Sequence, residues 1–395
     1  MNHIETRIHN ELQELERSGG LRKLPDIIHD GKFVTIKDGK YSSPMLNLSS
    51  NDYLGIASEK EIQEDFLTKC RIEDIPFTSS SSRLLSGNYQ IYQETENLIA
   101  KKFERESSLL FGSGYQMNTG ILPAVTDKNT LVLADKLVHA SIIDGIRLTG
   151  SQCIRFRHQD YEQLEMLVKK YYNSYSSIII VTESIFSMDG DVADLKLLSE
   201  IKRKYPIVML YVDEAHGIGV RGEKGLGVAE EQGCINNIDF LCGTLGKALA
   251  SAGAYVVCSS DVRKYLINKM RPFIFTTALP PVNIAWTRYI FSRLEEWNDR
   301  RKHLSLISRM VKDKIMSMGI DCISDSHIIP FMLGSNEKAI AASELMQKEG
   351  YYVLPIRQPT VPAGSERLRF SLTAAVTEDE INRLNEKIEI IIQSI

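Results

Sequence analysis

The chain has 395 residues, of which 43% are hydrophobic and 25% charged, and its formal net charge is −4. This length suits two or three domains, and the composition is that of an ordinary globular protein. Because positive and negative residues are interspersed, neither nucleic acid nor an anionic membrane is expected as the main partner. No apolar run approaches the roughly 20 residues that span a bilayer.

Six cysteines are scattered along the chain, with no C-x-x-C pair and no histidine at metal-ligand spacing. Several lie in apolar runs, where cysteine behaves as a small hydrophobic residue. We therefore expect reduced thiols, a cytoplasmic protein and no metal site. The cysteines are Cys70, Cys153, Cys234, Cys242, Cys258 and Cys322.

The N-terminal region has the spacing of an amphipathic helix over about the first 20 residues, ending at Gly19-Gly20. Its polar start is unlike a signal peptide. An extended arm is predicted from Leu21. Two short strands, 32–36 and 45–48, are predicted on either side of a turn at Asp38-Gly39.

Strand and helix patterns alternate after a helix predicted over 90–103. This alternation indicates an α/β fold with a large, mostly parallel, seven-stranded sheet. In such sheets ligands bind beyond the carboxyl ends of the strands, which here carry Asp135, Glu183 and Asp213. The seven apolar runs are Leu109–Phe111, Thr130–Leu133, Cys153–Phe156, Ser177–Val181, Ile207–Val212, Phe240–Cys242 and Ala254–Cys258.

The C-terminal part begins with one long helix or two, from Pro280 to about Ser317. Short strands then alternate with two helices, which indicates a small α+β domain. The predicted strands are 328–333, 352–354 and 368–372, and the predicted helices are 337–350 and 377–395. We expect an N-terminal helix and arm over 1–50, a large α/β domain over 51–285 and a small C-terminal α+β domain over 286–395.

An acid and a lysine stand out between residues 213 and 247. Asp213 follows an apolar strand, and Lys247 lies in Gly243-Thr-Leu-Gly-Lys, where small residues leave room for a bulky ring. A pyridoxal phosphate (PLP) site needs such a pair, the lysine for a Schiff base and the acid for the pyridine nitrogen. Taken alone, a lysine is more often a solvated surface charge.

The quartet Asp213-Glu214-Ala215-His216 also resembles the metal-binding acids of a helicase ATPase. That function requires G-x-x-x-x-G-K-[ST] upstream, whereas Gly246-Lys247 lies downstream and is followed by Ala248. We therefore reject the ATPase. His216, three residues after Asp213, either reaches the 3′ oxygen of the PLP ring or has only a structural role.

Three further positions suit a cofactor or a substrate, and each has a structural alternative. Gly112-Ser113-Gly114 follows a strand and begins a helix whose N-terminus would bind phosphate, although an ordinary turn has the same pattern. His139 follows a strand and either stacks on an aromatic ring or is structural. Arg369 alternates with apolar residues, so it either reaches water or clamps a carboxylate.

Together these motifs resemble one family from Leu21 to Ala375, the α-oxoamine synthases among the fold-type I (aspartate aminotransferase-like) PLP-dependent transferases. The segment Thr360-Val-Pro-Ala-Gly364 is most similar to the members that serve biotin biosynthesis. One departure is Ser79–Leu85, where some members have a glycine-rich run and a histidine. The matching stretches are Ser50–Gly55, Ser82–Asn88, Ser187–Asp191, Asp213–Gly217, Thr277–Pro281, Pro359–Gly364 and Arg367–Arg369.

The resemblance implies that five side chains surround the PLP ring. Lys247 would form the Schiff base and Asp213 would pair with the pyridine nitrogen. His216 and Ser187 would contact the 3′ oxygen, and His139 would stack on the ring.

The resemblance also implies the phosphate contacts. Gly114 and Tyr115 would offer backbone donors, with Thr244 nearby. Thr276 would reach in from the partner subunit, so that a homodimer shares each active site.

Four residues would hold the substrates. Arg369 with Asn51 would bind the carboxylate of the amino acid, and Arg22 with Thr360 would meet the acyl substrate.

The implied activity is PLP-dependent acyl transfer, the decarboxylative condensation of L-alanine with a pimeloyl thioester on CoA or acyl carrier protein. Lys247 would act as the base, and His139 would assist the thioester carbonyl. The nearest alternative is glycine C-acetyltransferase, which uses glycine and a short acyl-CoA, while 5-aminolevulinate and sphingoid-base synthases are more distant. A non-catalytic scaffold is a further alternative, against which the intact lysine, acid and histidine set argues.

Overall fold

The structure, a computed structural model, describes residues 2–37, 43–70, 72, 75–358 and 360–392. The turn predicted at Asp38-Gly39 lies outside these residues. The chain forms two compact units. Unit 1 comprises Met1–Asn51, Met188–Gly190 and His303–Ile395, and unit 2 comprises Asp52–Ser187 and Asp191–Lys302.

Helices and strands alternate through most of the described chain. The helices are α1 His3–Arg17, α2 Lys60–Lys69, α3 Gln90–Lys102, α4 Gly114–Val125, α5 Ala140–Arg147, α6 Tyr161–Tyr171, α7 Leu195–Lys204, α8 Val228–Glu231, α9 Ser260–Lys269, α10 Arg271–Ile274, α11 Pro281–Ser292, α12 Asn298–Ser317, α13 Asn336–Lys348 and α14 Glu378–Ile392. The strands are β1 Ile27–Asp30, β2 Phe33–Ile36, β3 Met45–Asn47, β4 Ser107–Phe111, β5 Thr130–Asp135, β6 Gln152–Phe156, β7 Ser177–Glu183, β8 Val208–Asp213, β9 Phe240–Thr244, β10 Ala254–Cys258, β11 Ile328–Met332, β12 Tyr351–Tyr352, β13 Pro355–Ile356 and β14 Arg367–Ser371.

Unit 2 is built on a seven-stranded sheet in the order β4-β10-β9-β8-β7-β5-β6. Strand β10 runs antiparallel to both of its neighbours, and β5 to β9 pair in parallel. Each of the seven predicted apolar runs forms one strand, which confirms the predicted large, mostly parallel sheet. Strands β4, β5 and β10 are buried along their whole length, as expected for near-continuous apolar runs that helices cover.

The core on one side of this sheet joins strand residues to helices α4 and α5. Val132, Val181 and Tyr211 of the sheet pack with Ile121 of α4 and Ile142 of α5. This packing fixes the start of each helix against the carboxyl edge of the sheet, where the strands end.

Unit 1 contains two smaller sheets, ordered β1-β2-β3-β12 and β11-β14-β13. Strand β12 pairs in parallel with β3, so the C-terminal part of the chain completes a sheet that begins in the N-terminal arm. Strands β1 and β13 were not predicted. The predicted helical region from Pro280 to Ser317 is two helices, α11 and α12, joined by a 3-10 turn over Leu294–Trp297.

The short segment Met188–Gly190 belongs to unit 1 although the chain on either side of it belongs to unit 2. Asp189 pairs with Arg367, and Asp325 N donates to Gly190 O at 3.2 Å. Gly190 has φ +74°, and a Cβ added there would lie 2.0 Å from Ile328 O. Both the backbone conformation and the close approach therefore require glycine.

Among the described residues, no helix is long and apolar enough to cross a membrane.

Candidate active site

The carboxyl ends of the parallel strands of unit 2 bring polar groups to one edge of the sheet. Strand β8 ends at Asp213 and β7 ends at Glu183, and these two residues are paired in register. Strand β9 ends at Thr244, three residues before Lys247. This edge is where parallel sheets bind ligands.

Asp213 is buried, with 5% of its surface exposed. Its Oδ2 accepts a hydrogen bond from Asn118 Nδ2 at 2.9 Å, and its Oδ1 accepts from Ala215 N at 2.9 Å. These two donors fix the orientation of the carboxylate. A carboxylate fixed in this way suits a protonated ring nitrogen.

The neighbouring acid, Glu214, has a different role. It is fully buried, and its carboxylate accepts hydrogen bonds from Ser184 Oγ at 2.5 Å and Ala229 N at 2.7 Å. Burial raises the pKa of Glu214 to about 7, against the lowering effect of these bonds. Glu214 thus ties the loop after β8 to α8.

Lys247 lies in the turn after β9, and its Nζ is 2.7 Å from Nε2 of His216. The other ring nitrogen of His216, Nδ1, is 2.7 Å from the hydroxyl of Tyr53. When Tyr53 donates to Nδ1, the proton of the neutral ring is on Nε2 and is donated to the Lys247 amine. This contact positions the Lys247 amine, whose neutral form is the one that reacts with an aldehyde.

His139 is the N-cap residue of α5, and a chain of hydrogen bonds connects it to Asp213. Tyr211 OH donates to Asn118 Oδ1 at 2.5 Å, which fixes the orientation of the Asn118 amide. The amide nitrogen then donates both to Asp213 and to Ser141 Oγ, the latter at 2.9 Å. Ser141 Oγ, having accepted this bond, donates its own proton to His139 Nδ1 at 2.7 Å.

It follows that Nδ1 of His139 is an acceptor, so the proton of the neutral ring is on Nε2. Burial lowers the pKa of His139, the charge of Asp213 raises it, and Lys247 lowers it further. The net lowering keeps the ring neutral near pH 7. A neutral histidine with a free Nε2–H can donate to an oxygen that gains negative charge.

Glu183, beside Asp213 on the next strand, is 2% exposed, and its Oε1 has no hydrogen-bond partner among the described residues. Burial and then the charge of Asp213 raise the pKa of Glu183 well above its usual value, against opposing effects of Lys247 and the backbone N–H of His139. The raised pKa keeps Glu183 neutral near pH 7, beside the hydrogen-bonded carboxyl group of Asp213.

The N-terminus of α4 lies next to Thr244. Ser113 caps this helix by accepting from Gln116 N, so the N–H groups of Gly114 and Tyr115 begin the helix without intrahelical partners. A Cβ added at Gly114 would lie 3.8 Å from Thr244 Oγ1. The Tyr115 side chain turns to Asp144, to which its hydroxyl donates at 2.6 Å. Backbone donors and a hydroxyl at a helix N-terminus form a phosphate site.

Thr276 and Ser187 complete the set predicted for the cofactor, and both lie in unit 2. Thr276 lines a small cavity of about 20 Å³ together with Gly112 and Gln116 of its own chain. The structure thus places Thr276 close to the start of α4 within one subunit. Ser187 follows the buried Phe186 and directly precedes the segment that belongs to unit 1.

The four residues predicted for the substrates all lie in unit 1. The structure brings two of them together, because Arg22 donates to Thr360 Oγ1 at 2.6 Å. Arg369 donates to Ser371 Oγ at 2.6 Å, on the same strand. Asn51 is exposed at the end of the N-terminal segment.

Tyr53, Asn118 and Ser141 are polar contacts of the site that the sequence interpretation missed. Each acts by orienting another residue, across separations as large as 163 positions for Tyr53 and His216. Asn118 lies in α4, the helix that begins at Gly114, yet nothing local distinguishes it from an ordinary polar helix residue. The signal that could have found it is helical spacing, because Asn118 follows Gly114 by four residues on the same face.

The residues present fit PLP by the chemistry of their donors. The Lys247 amine, which contacts a histidine, suits a Schiff base with the aldehyde of PLP. The buried carboxylate of Asp213 suits the pyridine nitrogen. The helix N-terminus beside Thr244 suits the phosphate. The buried, unpartnered Oε1 of Glu183 lies in the same region and leaves a polar group for a bound molecule.

Comparisons with known proteins support the same cofactor and fold. The family described as aminotransferase class I and II matches residues 43–388. A protein from Glaesserella parasuis serovar 5 (strain SH0165) is 55% identical over 371 residues, which cover 94% of this chain and 96% of the relative. One from Pasteurella multocida (strain Pm70) is 52% identical over 374 residues, with coverages of 94% and 96%. Both are named "Putative 8-amino-7-oxononanoate synthase".

Solved structures extend the likeness to the whole fold. A serine palmitoyltransferase from S. paucimobilis with a bound PLP–myriocin aldimine has a TM-score of 0.90 at 26% identity and covers 100% of this chain and 99% of that one. An 8-amino-7-oxononanoate synthase from Francisella tularensis has a TM-score of 0.75 at 27% identity, with coverages of 89% and 99%. The predicted fold-type I architecture and the predicted cofactor, PLP, are thereby confirmed.

The family match spans most of the chain, and relatives more than 50% identical over nearly its full length bear one name. The chain therefore belongs to the class I and II aminotransferase family, and within it to the PLP-dependent α-oxoamine synthases of the 8-amino-7-oxononanoate synthase group.

Proposed function

We propose that the protein condenses L-alanine with a pimeloyl thioester and releases CO2 and the thiol, as an 8-amino-7-oxononanoate synthase of biotin biosynthesis. The observation that carries the reaction type is the cluster of Lys247, His216 and Asp213 at the carboxyl edge of the sheet, with the neutral His139 linked to it. In the overall reaction a C–C bond forms between alanine Cα and the thioester carbonyl carbon, the C–S bond breaks, and the alanine carboxylate leaves as CO2.

PLP, when bound, supplies the electron sink that allows a carbanion to form at alanine Cα. Lys247 would hold it covalently, Asp213 would hold the proton on its ring nitrogen, and Gly114, Tyr115 and Thr244 would bind its phosphate. Ser187 and His216 would contact its 3′ oxygen.

Two residues of the chain handle protons in the reaction. The Lys247 amine, whose Nζ lies 2.7 Å from His216 Nε2, would accept the proton from alanine Cα. His139 directs its Nε2–H at the thioester carbonyl oxygen as negative charge develops there. Arg369 with Asn51 would hold the substrate carboxylate until it leaves as CO2. A proton then returns to Cα.

The observation that favours a pimeloyl over an acetyl donor is a pair of arginines in unit 1. Arg22 donates to Thr360. Burial and, as the smaller cause, the nearby charge of Arg22 lower the pKa of Arg357. Neither guanidinium has a carboxylate partner among the described residues. Two adjacent cations without an anion suit the free carboxylate at the far end of a pimeloyl chain, which an acetyl group lacks.

The test is a steady-state assay that pairs alanine or glycine with pimeloyl-CoA or acetyl-CoA. We expect turnover with alanine and pimeloyl-CoA to exceed the other three pairings. Preference for glycine and acetyl-CoA would instead establish glycine C-acetyltransferase. Serine with a long acyl-CoA is a further arm, because the structural likeness includes serine palmitoyltransferase.

A non-catalytic scaffold predicts a different result in a simple measurement. The purified protein with PLP should show a visible absorbance band that borohydride bleaches and that Lys247→Ala lacks. A wild-type protein without the band would support the scaffold.

We also propose a homodimer in which Thr276 contacts the phosphate bound to the partner subunit, and a cytoplasmic location. The resemblance to the α-oxoamine synthases supports the dimer. All six cysteines are free thiols, which is typical of a reducing compartment.

A further inference from the structure

A charged histidine outside the residues assigned above connects two loops of the site. His158 follows β6, and its Nδ1 lies 2.9 Å from Asp135 Oδ1 while its Nε2 lies 2.7 Å from Asp191 Oδ2. Both ring nitrogens thus face a carboxylate. Asp135 and Asp191 are buried, and neither contributes to the catalytic cluster.

On one side, Asp135 controls the loop that leads from β5 to His139. Its Oδ1 accepts from Leu137 N at 2.8 Å, and its Oδ2 accepts from Gln159 N at 2.9 Å. The same carboxylate that pairs with His158 therefore shapes the turn two residues before His139. Any shift of Asp135 moves the N-terminus of α5.

On the other side, Asp191 controls the loop that leads from β7 to Ser187. Phe186 N donates to Asp191 O at 3.0 Å, and Ile185 and Val192 form an antiparallel bridge. The ring of His158 meets the ring of Phe186 edge-on, with centroids 4.4 Å apart. His158 thus packs directly against Phe186, the residue before Ser187, and bonds to the side chain of Asp191, whose backbone carbonyl accepts from Phe186 N.

The electrostatic balance favours the charged ring. Burial alone would lower the pKa of His158, but the hydrogen bonds to Asp135 and Asp191 outweigh it and raise the pKa to about 10. Tyr161, whose hydroxyl accepts from Asp194 N, also lies beside these acids, and the charge of Asp135 acts on Glu183 as well. A cation between two buried acids is therefore present throughout the neutral range.

We propose that His158 is a positioning residue that fixes the loops of His139 and Ser187 relative to each other, and so sets the orientation of the PLP ring. It does not touch the reacting atoms. The roles of His139 and Ser187 belong to the proposed function, on which this inference rests.

The test uses the holoenzyme with His158→Gln, Asp191→Asn and the double variant. The matched control is His303→Gln, because His303 is a half-buried histidine of unit 1 whose Nε2 lies 2.7 Å from Val376 O. The readouts are the visible circular dichroism of bound PLP, its dissociation rate, thermal unfolding, and kcat and KM for alanine. Asp191→Asn retains an acceptor and is the milder variant if His158→Gln folds poorly.

We expect His158→Gln to change the visible dichroism and to release PLP about tenfold faster, as for other supporting partners of a bound group. The double variant should change these readouts by less than the sum of the single effects, because the two side chains are partners. His303→Gln should leave both readouts unchanged.

A lower unfolding temperature with unaltered dichroism and PLP release in both single variants would overturn the inference, since it would show a purely structural role. Additive effects in the double variant would also contradict it. These readouts need no acyl donor, so a failed alanine and pimeloyl-CoA assay would reject the proposed substrates alone.

Discussion

His139 and Lys247 each depend on a hydrogen-bonding partner. Ser141 donates to Nδ1 of His139 and leaves the proton on Nε2, and His216 Nε2 lies 2.7 Å from Nζ of Lys247. Catalytic groups work at neutral pH only when their protonation is set in this way. The hydroxyl of Ser141 is therefore as important to the chemistry as a residue that contacts substrate.

Ser141→Ala tests this dependence. The variant keeps the weaker bond from the Ser141 backbone N–H to His139 Nδ1, at 3.2 Å, but loses the hydroxyl donor. Because one hydrogen bond is worth about 1–1.5 kcal/mol, we expect kcat to fall by roughly tenfold. The KM for alanine should change little. Steady-state kinetics measure both quantities.

The matched control is Ser199→Ala, another buried serine of unit 2, whose hydroxyl donates within its own helix, to Leu195 O at 2.8 Å. This variant should keep the wild-type kcat. Equal losses of kcat in the two variants would count against a specific role for Ser141.

The register pair Glu183 and Asp213 gives a second prediction, because burial raises the pKa of Glu183 and keeps this acid neutral beside the carboxyl group of Asp213. Glu183→Gln replaces a neutral acid by a neutral amide of the same shape, so kcat should stay within about threefold of wild type. Asp213→Asn removes the charge that holds the ring proton and should lower kcat by orders of magnitude while PLP stays bound. A kcat for Glu183→Gln as low as for Asp213→Asn would show that Glu183 acts as an anion.

Stability gives an independent measurement on Glu183. Its pKa is raised in the folded state, so the folded protein binds a proton that the unfolded chain has lost, and stability falls as pH rises above the unfolded value near 4.3. Glu183→Gln cannot ionise, so the variant does not lose stability at this position as pH rises. Its unfolding free energy, measured by urea titration, should exceed that of wild type by more at pH 9 than at pH 5.

The sequence pointed to the residues proposed for the cofactor and missed those that orient them. Asp213 lies at a strand end and Lys247 lies three residues after one, both in distinctive local patterns. The partners Tyr53, Asn118 and His158 lie in patterns shared with ordinary loops and helices, and their roles arise only from long-range contacts. The sequence could not separate Asp213 from Glu214 by composition either, because only the fold decides which carboxylate faces the helix α8.

At the scale of elements, continuous apolar runs predicted the strands well because strands covered on both faces need apolar residues at every position. The short strands β1 and β13 were missed for the opposite reason. Three of the four β1 residues are exposed, and β13 has only two residues, one of them proline. Strands of this kind are defined by pairing with a neighbour and not by their own pattern.

At Gly190 both the backbone conformation and the neighbouring atoms exclude a larger residue. Its φ is +74°, and a Cβ there would lie 2.0 Å from Ile328 O and 2.5 Å from Ser324 Oγ. Gly190→Ala therefore combines a disfavoured conformation with a backbone clash. We expect the free energy of unfolding to drop by about 3 kcal/mol or more, measured by denaturant titration.

Gly334→Ala separates the two causes. Gly334 has nearly the same φ, +79°, but no atom lies within 4 Å of an added Cβ. The variant should lose only about 1 kcal/mol, the cost of the left-handed conformation. Equal losses at Gly190 and Gly334 would show that the close approach to Ile328 is unimportant.

At the scale of the whole molecule, the residues proposed for PLP belong to unit 2 and those proposed for the substrates belong to unit 1. Nothing in the sequence indicates that Met188–Gly190 joins unit 1, because a segment of three residues has no compositional signal. The domain boundaries at residues 51 and 286 stay a prediction. The fold groups 1–51 with 303–395, and this grouping depends on strand pairing between β3 and β12.

Thr276 contacts the phosphate bound either to its own subunit or to the partner subunit, and these two arrangements can be distinguished. Within one chain, Thr276 lines a cavity with Gly112 and Gln116 near the phosphate site, whereas the family resemblance assigns it to the partner. Mixing two inactive variants, Lys247→Ala and Thr276→Glu, distinguishes the two arrangements. The glutamate would repel the phosphate, so each variant alone should be inactive.

If Thr276 acts across the interface, a hybrid dimer carries both substitutions in one active site and none in the other, so mixing should restore activity. If Thr276 acts within its own chain, each site of the hybrid carries one substitution, and mixing should restore none. We expect recovery after the subunits are unfolded and refolded together with PLP, measured as turnover of alanine and pimeloyl-CoA. Co-refolded wild type serves as the positive control, and a mixture without recovery would reject a shared active site.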